Sequence, residues 1–102
     1  MIGQPRLILL HDRDTILVCA TPIAPGDQLA IDGALVLARE AVEVGHKVAR
    51  RGLSRGDKVI KYGAPIGSAT QDIAAGEWVH LHNMQSDYLA SHSRETVSEG
   101  EE

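Results

Sequence analysis

Up to residue 84 the chain is a succession of short apolar runs, each cut off by glycine, proline or aspartate. Runs this short between turn residues predict strands joined by tight turns, not helices. The expected strands are Leu7 to Leu10, Ile16 to Ala20, Gln28 to Ile31, Lys58 to Tyr62, Pro65 to Ala69 and Glu77 to His82. Ala34 to Ala41 is ambiguous, because it holds good helix formers. It has no polar face, however, and the β-branched Val42 and Val44 follow it, which tips the segment towards extended structure. Beyond Met84 the pattern turns polar. Residues 1–90 therefore read as one domain with little helix, and residues 91–102, ending in Glu99-Gly100-Glu101-Glu102, as a disordered acidic tail.

A weak repeat runs through this pattern. Ile23-Ala24-Pro25-Gly26-Asp27, Leu53-Ser54-Arg55-Gly56-Asp57 and Ile73-Ala74-Ala75-Gly76-Glu77 each place an apolar residue, two spacers, a glycine and an acid before an expected strand. The apolar residue anchors the turn to the core, and glycine lets the backbone reverse at little cost. The unequal intervals between copies argue against a solenoid.

With 102 residues the chain fits a single domain. There is no Phe, and the aromatic residues are Trp78, Tyr62 and Tyr88, so the core must be built from Val, Ile, Leu and Ala. Such a core is thin, and a partner or self-association into a homo-oligomer would help it. The net charge of −4 and a basic cluster (Arg50, Arg51, Arg55, Lys47, Lys58) without interleaved aromatics argue against nucleic acid. A lone Cys19 inside an apolar run excludes an intramolecular disulfide and reads as a core residue of a reduced, cytoplasmic protein. No leader pattern is present, and no apolar stretch nears the roughly 20 residues that span a bilayer, so no membrane role is expected.

Several residues could carry chemistry. On an extended strand, His80 and His82 would project from one face while Val79 and Leu81 packed inward, which gives two imidazoles in metal-ligand spacing. A pair of surface histidines is the alternative, since a metal site needs at least a third ligand. Asn83 could hydrogen-bond a substrate hydroxyl or orient a histidine. His46 and Lys47 follow a glycine that permits close approach, and Lys61 and Tyr62 offer a cation and a phenol at a strand end. His11-Asp12-Arg13-Asp14 reads as a polar hairpin turn that could also lend a ligand. His92 falls in the tail and has no assigned role.

Taken together, Gly45-His46-Lys47-Val48-Ala49, Lys61-Tyr62-Gly63-Ala64-Pro65-Ile66-Gly67-Ser68-Ala69 and Gly76-Glu77-Trp78-Val79-His80-Leu81-His82-Asn83 resemble the altronate and galactarate dehydratase family across roughly residues 6 to 89. The resemblance implies an all-β SAF-type fold, a β-clip of folded hairpins. It implies a separate small subunit that acts with a large catalytic dehydratase-type subunit on a sugar-acid or other hydroxy-acid. Sulfolactate sulfo-lyase subunits are similar. The reaction implied is β-elimination assisted by a divalent metal, Fe2+ in some relatives. His80 and His82 would be metal ligands, His46 and Tyr62 would assist proton transfer, and Lys47, Lys61, Asn83 and Asp14 would bind substrate. The front motif departs from the family, since Asp14-Thr15 stands where an Asp-Asn pair is common; threonine keeps a hydroxyl but lacks the amide. Two other readings stay open: a non-catalytic carbohydrate-binding or assembly module, and a small metal-binding barrel acting alone.

Overall fold

The computed structural model of the chain describes residues 5–87. They form nine strands: β1 (Leu7–Ile8), β2 (Ile16–Cys19), β3 (Gln28–Ile31), β4 (Ala34–Leu37), β5 (Lys47–Ala49), β6 (Lys58–Lys61), β7 (Ala64–Ala69), β8 (Trp78–Val79) and β9 (Met84–Gln85). The nearly all-β architecture agrees with the apolar pattern. An antiparallel sheet in the order β1-β2-β5-β8 lies in the middle, and the hairpin β3-β4 and the three-stranded sheet β6-β7-β9 cover it.

Alternation along the central strands divides the core in two. Ile16, Ala49 and Val79 pack on one face, against Val59, Ala69 and Met84 of the β6-β7-β9 sheet. Leu17, Cys19 and Val48 pack on the other, against Leu29 and Ile31 of β3. This explains why β2 is apolar at every position: it is covered on both sides. In β3 only Leu29 and Ile31 are buried, while Gln28 and Ala30 face solvent.

The repeat proves to be a folded unit, and it has four copies. Val42-Glu43-Val44-Gly45-His46 makes the same turn as the three others. In each copy the glycine has a positive φ, at Gly26, Gly45, Gly56 and Gly76. In each, the fifth residue's N–H donates to the carbonyl of the second (Asp27 to Ala24, His46 to Glu43, Asp57 to Ser54, Glu77 to Ala74). The turns pair through bridges between Ile23 and Val42 and between Leu53 and Ile73. Longer-range bonds repeat as well: Gly45 N–H to the Cys19 carbonyl and Cys19 N–H to the His46 carbonyl are matched by Gly76 to Ala49 and Ala49 to Glu77. Both long hairpins reverse through a residue and a glycine at positive φ, Asp32-Gly33 and Tyr62-Gly63.

Some expectations need correction. The ambiguous segment is a strand over Ala34–Leu37 only. The expected strand over Glu77 to His82 survives only as Trp78–Val79, after which the chain turns. Val79 is buried as expected, but Leu81 is 82% exposed because it sits on that turn and not on an alternating strand. β5 and β9 were not foreseen, since each is short and β5 begins with a lysine. Residues 91–102 and His92 lie outside the described residues.

Candidate functional site

β5 and β8 are neighbours, with Lys47 opposite Val79 and Val48 opposite Trp78. The turn before β5 therefore lies beside the segment that leaves β8, and an aromatic cluster forms there. The His46 ring is 5.7 Å from Trp78 and 5.2 Å from His80, centroid to centroid. Trp78 stacks on His80 at 5.0 Å with an interplanar angle of 11°, and lies 5.0 Å from the tilted ring of His82. Trp78 Nε1–H donates to Nδ1 of His46 at 3.2 Å. Burial first, then the electrostatics of its neighbours, push the His80 pKa below the ordinary histidine value.

The histidines are presented on a turn. Met84 and Asn83 N–H both donate to the His80 carbonyl. Asn83 is fully buried; its Oδ1 accepts the His80 N–H at 2.9 Å and its Nδ2 donates to the Trp78 carbonyl at 2.7 Å. Both ends of the Asn83 amide are thus engaged with the main chain of the turn that carries His80.

Lys47 lies on the same sheet face as its cross-strand partners Val18 and Val79. Half-burial, then the charge of Lys61, lower its pKa. The charges of Lys47 and Lys61 thus oppose each other. Neither enters an ion pair among the described residues, where the pairs are His46–Glu43, Arg50–Asp32 and Lys58–Asp87. The Lys61 ammonium sits 5.8 Å from the centre of the Tyr62 ring.

Tyr62 is 68% exposed at the tip of the β6-β7 hairpin, with φ at 56°, an uncommon state for an aromatic residue. Asp14 helps hold it there. Its carboxylate is buried, and Oδ1 accepts the Gly63 N–H at 2.8 Å, while Oδ2 finds no partner among the described residues. The His11 ring lies against Gly63, where a Cβ would come within 2.9 Å of Nε2. His11 to Asp14 form the expected polar turn, closed by Asp14 N–H to the His11 carbonyl. Asp14 was expected at the substrate; it is buried beneath the Tyr62 turn and supports it. Thr15 is buried too, its Oγ1 accepting the Ile60 N–H, so here the hydroxyl serves the backbone.

His46, His80 and His82 thus gather around Trp78, Lys47 follows His46 at the start of β5, and Tyr62 stands next to Lys61 at the β6-β7 turn. No three His, Cys, Asp or Glu side chains among the described residues are placed to hold a metal ion. Two imidazoles are an incomplete ligand set, so the described residues do not by themselves complete a metal centre. Sequence reasoning missed two residues. Trp78 touches all three histidines of the cluster, and Arg50 ties the turn around Asp14 to the first hairpin through Nε to Asp32 and Nη1 to the carbonyls of Asp12 and Asp14. The signal for the first was in the sequence: the fourth repeat copy carries histidine where the others carry an acid.

A family profile described as the altronate/galactarate dehydratase SAF domain matches residues 5–87. Altronate dehydratase of Bacillus subtilis is 35% identical over 80 residues, and that of Escherichia coli 41% over 80 residues. Each alignment covers 78% of this chain but only 16% of the relative, so the chain spans a small part of those enzymes. The (2R)-sulfolactate sulfo-lyase subunit alpha of Chromohalobacter salexigens is 44% identical over 48 residues, covering 47% of this chain and 51% of that subunit. With all of the described residues inside the matched region, the chain belongs to the altronate/galactarate dehydratase SAF-domain family.

Proposed function

We propose that this domain supplies one wall of the active site of a lyase that eliminates water from a hydroxy-acid, and that it acts with a larger catalytic dehydratase unit. The observation that carries this reading is the pair Lys47 and Lys61. Lys47 is half-buried, the charge of Lys61 acts on it, and neither lysine has an ion-pair partner among the described residues; a substrate carboxylate would provide one. Binding it there also withdraws electron density from the adjacent carbon and makes its proton more acidic.

The elimination balances as follows. A base takes the proton from the carbon next to the carboxylate, the C–H electron pair forms the double bond, and the neighbouring C–O bond breaks, the hydroxide leaving as water after it gains a proton. For a 2,3-dihydroxy-acid the enol then rearranges to a 2-oxo acid. In this reading Lys47 and Lys61 hold the carboxylate, and Tyr62 and His46 lie where the phenol and imidazole can hydrogen-bond reacting oxygens or pass a proton. The metal-dependent form of the reaction needs donors from the larger unit beside His80 and His82; a divalent ion held there would act as a Lewis acid. The roles assigned to this chain's other residues do not depend on it.

The similarity to sulfolactate sulfo-lyase subunits favours a second substrate class, in which sulfite leaves in place of hydroxide. The test is to co-express and co-purify the chain with a large dehydratase-type polypeptide, and to assay altronate, galactarate and sulfolactate for 2-oxo acid or sulfite. Elimination from one of them is expected. Failure with all three overturns the reading. If metal content and turnover of the complex both survive replacement of His80 and His82 by Ala, these histidines are not ligands.

A further inference from the structure

Three of the four repeated turns close with a side-chain cap. The carboxylate of the fifth residue accepts the N–H of the second: Asp27 from Ala24 at 2.7 Å, Asp57 from Ser54 at 2.8 Å and Glu77 from Ala74 at 2.9 Å. The fourth has His46 at the capping position, and its ring turns away to the aromatic cluster, where Nδ1 accepts the Trp78 indole N–H. The backbone of this turn is like the others, so the missing cap has no cause in the backbone. A local rule broken at one copy of four, beside Lys47, which has no ion-pair partner among the described residues, marks a position kept for its chemistry.

That hydrogen bond has a chemical consequence. An imidazole accepting at Nδ1 must be neutral and carry its proton on Nε2. Glu43 is the nearest carboxylate, and its Oε1 lies 3.9 Å from Nε2, beyond hydrogen-bond reach, on a side chain 90% exposed. The Nε2 edge is therefore available, while Nδ1 is engaged by the indole. We infer that Trp78 is a positioning residue: its indole N–H engages Nδ1 of His46 and leaves Nε2 to donate, so that His46 hydrogen-bonds a substrate oxygen and is not the base of the reaction. A neutral imidazole donor suits an oxygen that gains negative charge, because it stabilises the charge without surrendering its proton early. This rests on the hydroxy-acid reading above and narrows the role of His46 within it.

Two measurements on different footing test it. In the full-length chain, 15N-labelled at histidine and held near pH 8, long-range 1H–15N spectra should show His46 as a single tautomer with a bare Nδ1, and Trp78→Phe should release it into a mixture of tautomers. A proton on Nδ1, or spectra unmoved by Trp78→Phe, overturns the positioning by Trp78 whether or not the chain takes part in an elimination. In the assembled complex, His46→Gln keeps a donor but cannot act as a base, and should retain turnover within about tenfold, whereas His46→Ala should lose roughly 10²–10³-fold. Trp78→Phe should lower kcat with KM nearly unchanged, and should cost nothing further in a His46→Ala background. His46→Gln as inactive as His46→Ala makes His46 a base and refutes the donor role. An additive loss from Trp78→Phe shows that Trp78 does not act through His46. A wild-type complex without elimination refutes the functional reading, and the positioning by Trp78 is then judged by the spectra.

Discussion

Replacing Asn83 by Ala should damage the fold before it damages catalysis. The side chain is fully buried and makes two hydrogen bonds, from the His80 N–H at 2.9 Å and to the Trp78 carbonyl at 2.7 Å. Each such bond contributes about 1 kcal/mol net, and truncation also leaves a donor and an acceptor of the main chain unpaired in a half-buried turn, at about 1–3 kcal/mol each when water is kept out. Allowing for partial solvation, the cost is about 2–4 kcal/mol. For a domain of this size that corresponds to a fall in Tm of roughly 10–25 °C. Urea unfolding of the full-length chain, followed by Trp78 fluorescence, measures it directly, with a lower midpoint and an unchanged slope expected. Asn83→Asp should do no better, since it restores the acceptor but loses the donor and buries a charge. A loss below about 1 kcal/mol for Asn83→Ala would refute the reasoning, because the turn that presents His80 and His82 would then not depend on this amide.

Asp27→Ala and Asp57→Ala should each cost about 1 kcal/mol, additively because the turns belong to different hairpins, and thermal unfolding near wild type for both would sink the capping account. Gly67→Ala should loosen β9, since a Cβ there would collide with the Gln85 backbone and with Met84; faster amide exchange at Met84 and Gln85 is the readout, and unchanged exchange would contradict it. Hydrogen bonds from Lys58 and Ser68 hold the Asp87 carboxyl below the ordinary carboxylate pKa. Its stabilising contribution is thus present above the unfolded value and lost as pH falls through the folded one, so Asp87→Asn should flatten the urea-midpoint curve between about pH 5 and about pH 2. Burial raises the pKa of the Cys19 thiol, so at about pH 8 the native chain should resist alkylation that proceeds readily in urea; equal rates would place Cys19 outside the core.

Much of the fold was legible because the apolar runs are short and their turn residues unambiguous. Gln28–Ile31 is read correctly to the residue, since its alternation matches a strand half in contact with the core. The region after Trp78 was misread for a specific reason: Trp78-Val79-His80-Leu81 alternates as a strand would, but Asn83 captures the His80 N–H and bends the chain. A buried side-chain to main-chain bond leaves no periodic trace. The candidate site was legible as residue types, because His46, Lys47, Lys61, His80 and His82 stand in recognisable motifs. The convergence of the histidines was not, since it depends on β5 and β8 pairing across the intervening residues 50–77. The buried roles of Asp14 and Asn83 were hidden in the same way, because a polar residue looks alike in sequence whether it faces substrate or closes a turn.

In the proposed reaction Lys47 and Lys61 of this chain form an anion subsite for the substrate. Its most direct test is the steady-state kinetics of elimination by the co-purified complex, comparing the wild-type chain with Lys47→Met and Lys61→Met. The account predicts that each variant assembles normally and raises KM for the hydroxy-acid at least about tenfold, as expected for a charge-assisted contact of about 1.5–3 kcal/mol. A Lys47→Met, Lys61→Met double variant that assembles and turns over substrate with the wild-type KM would contradict it.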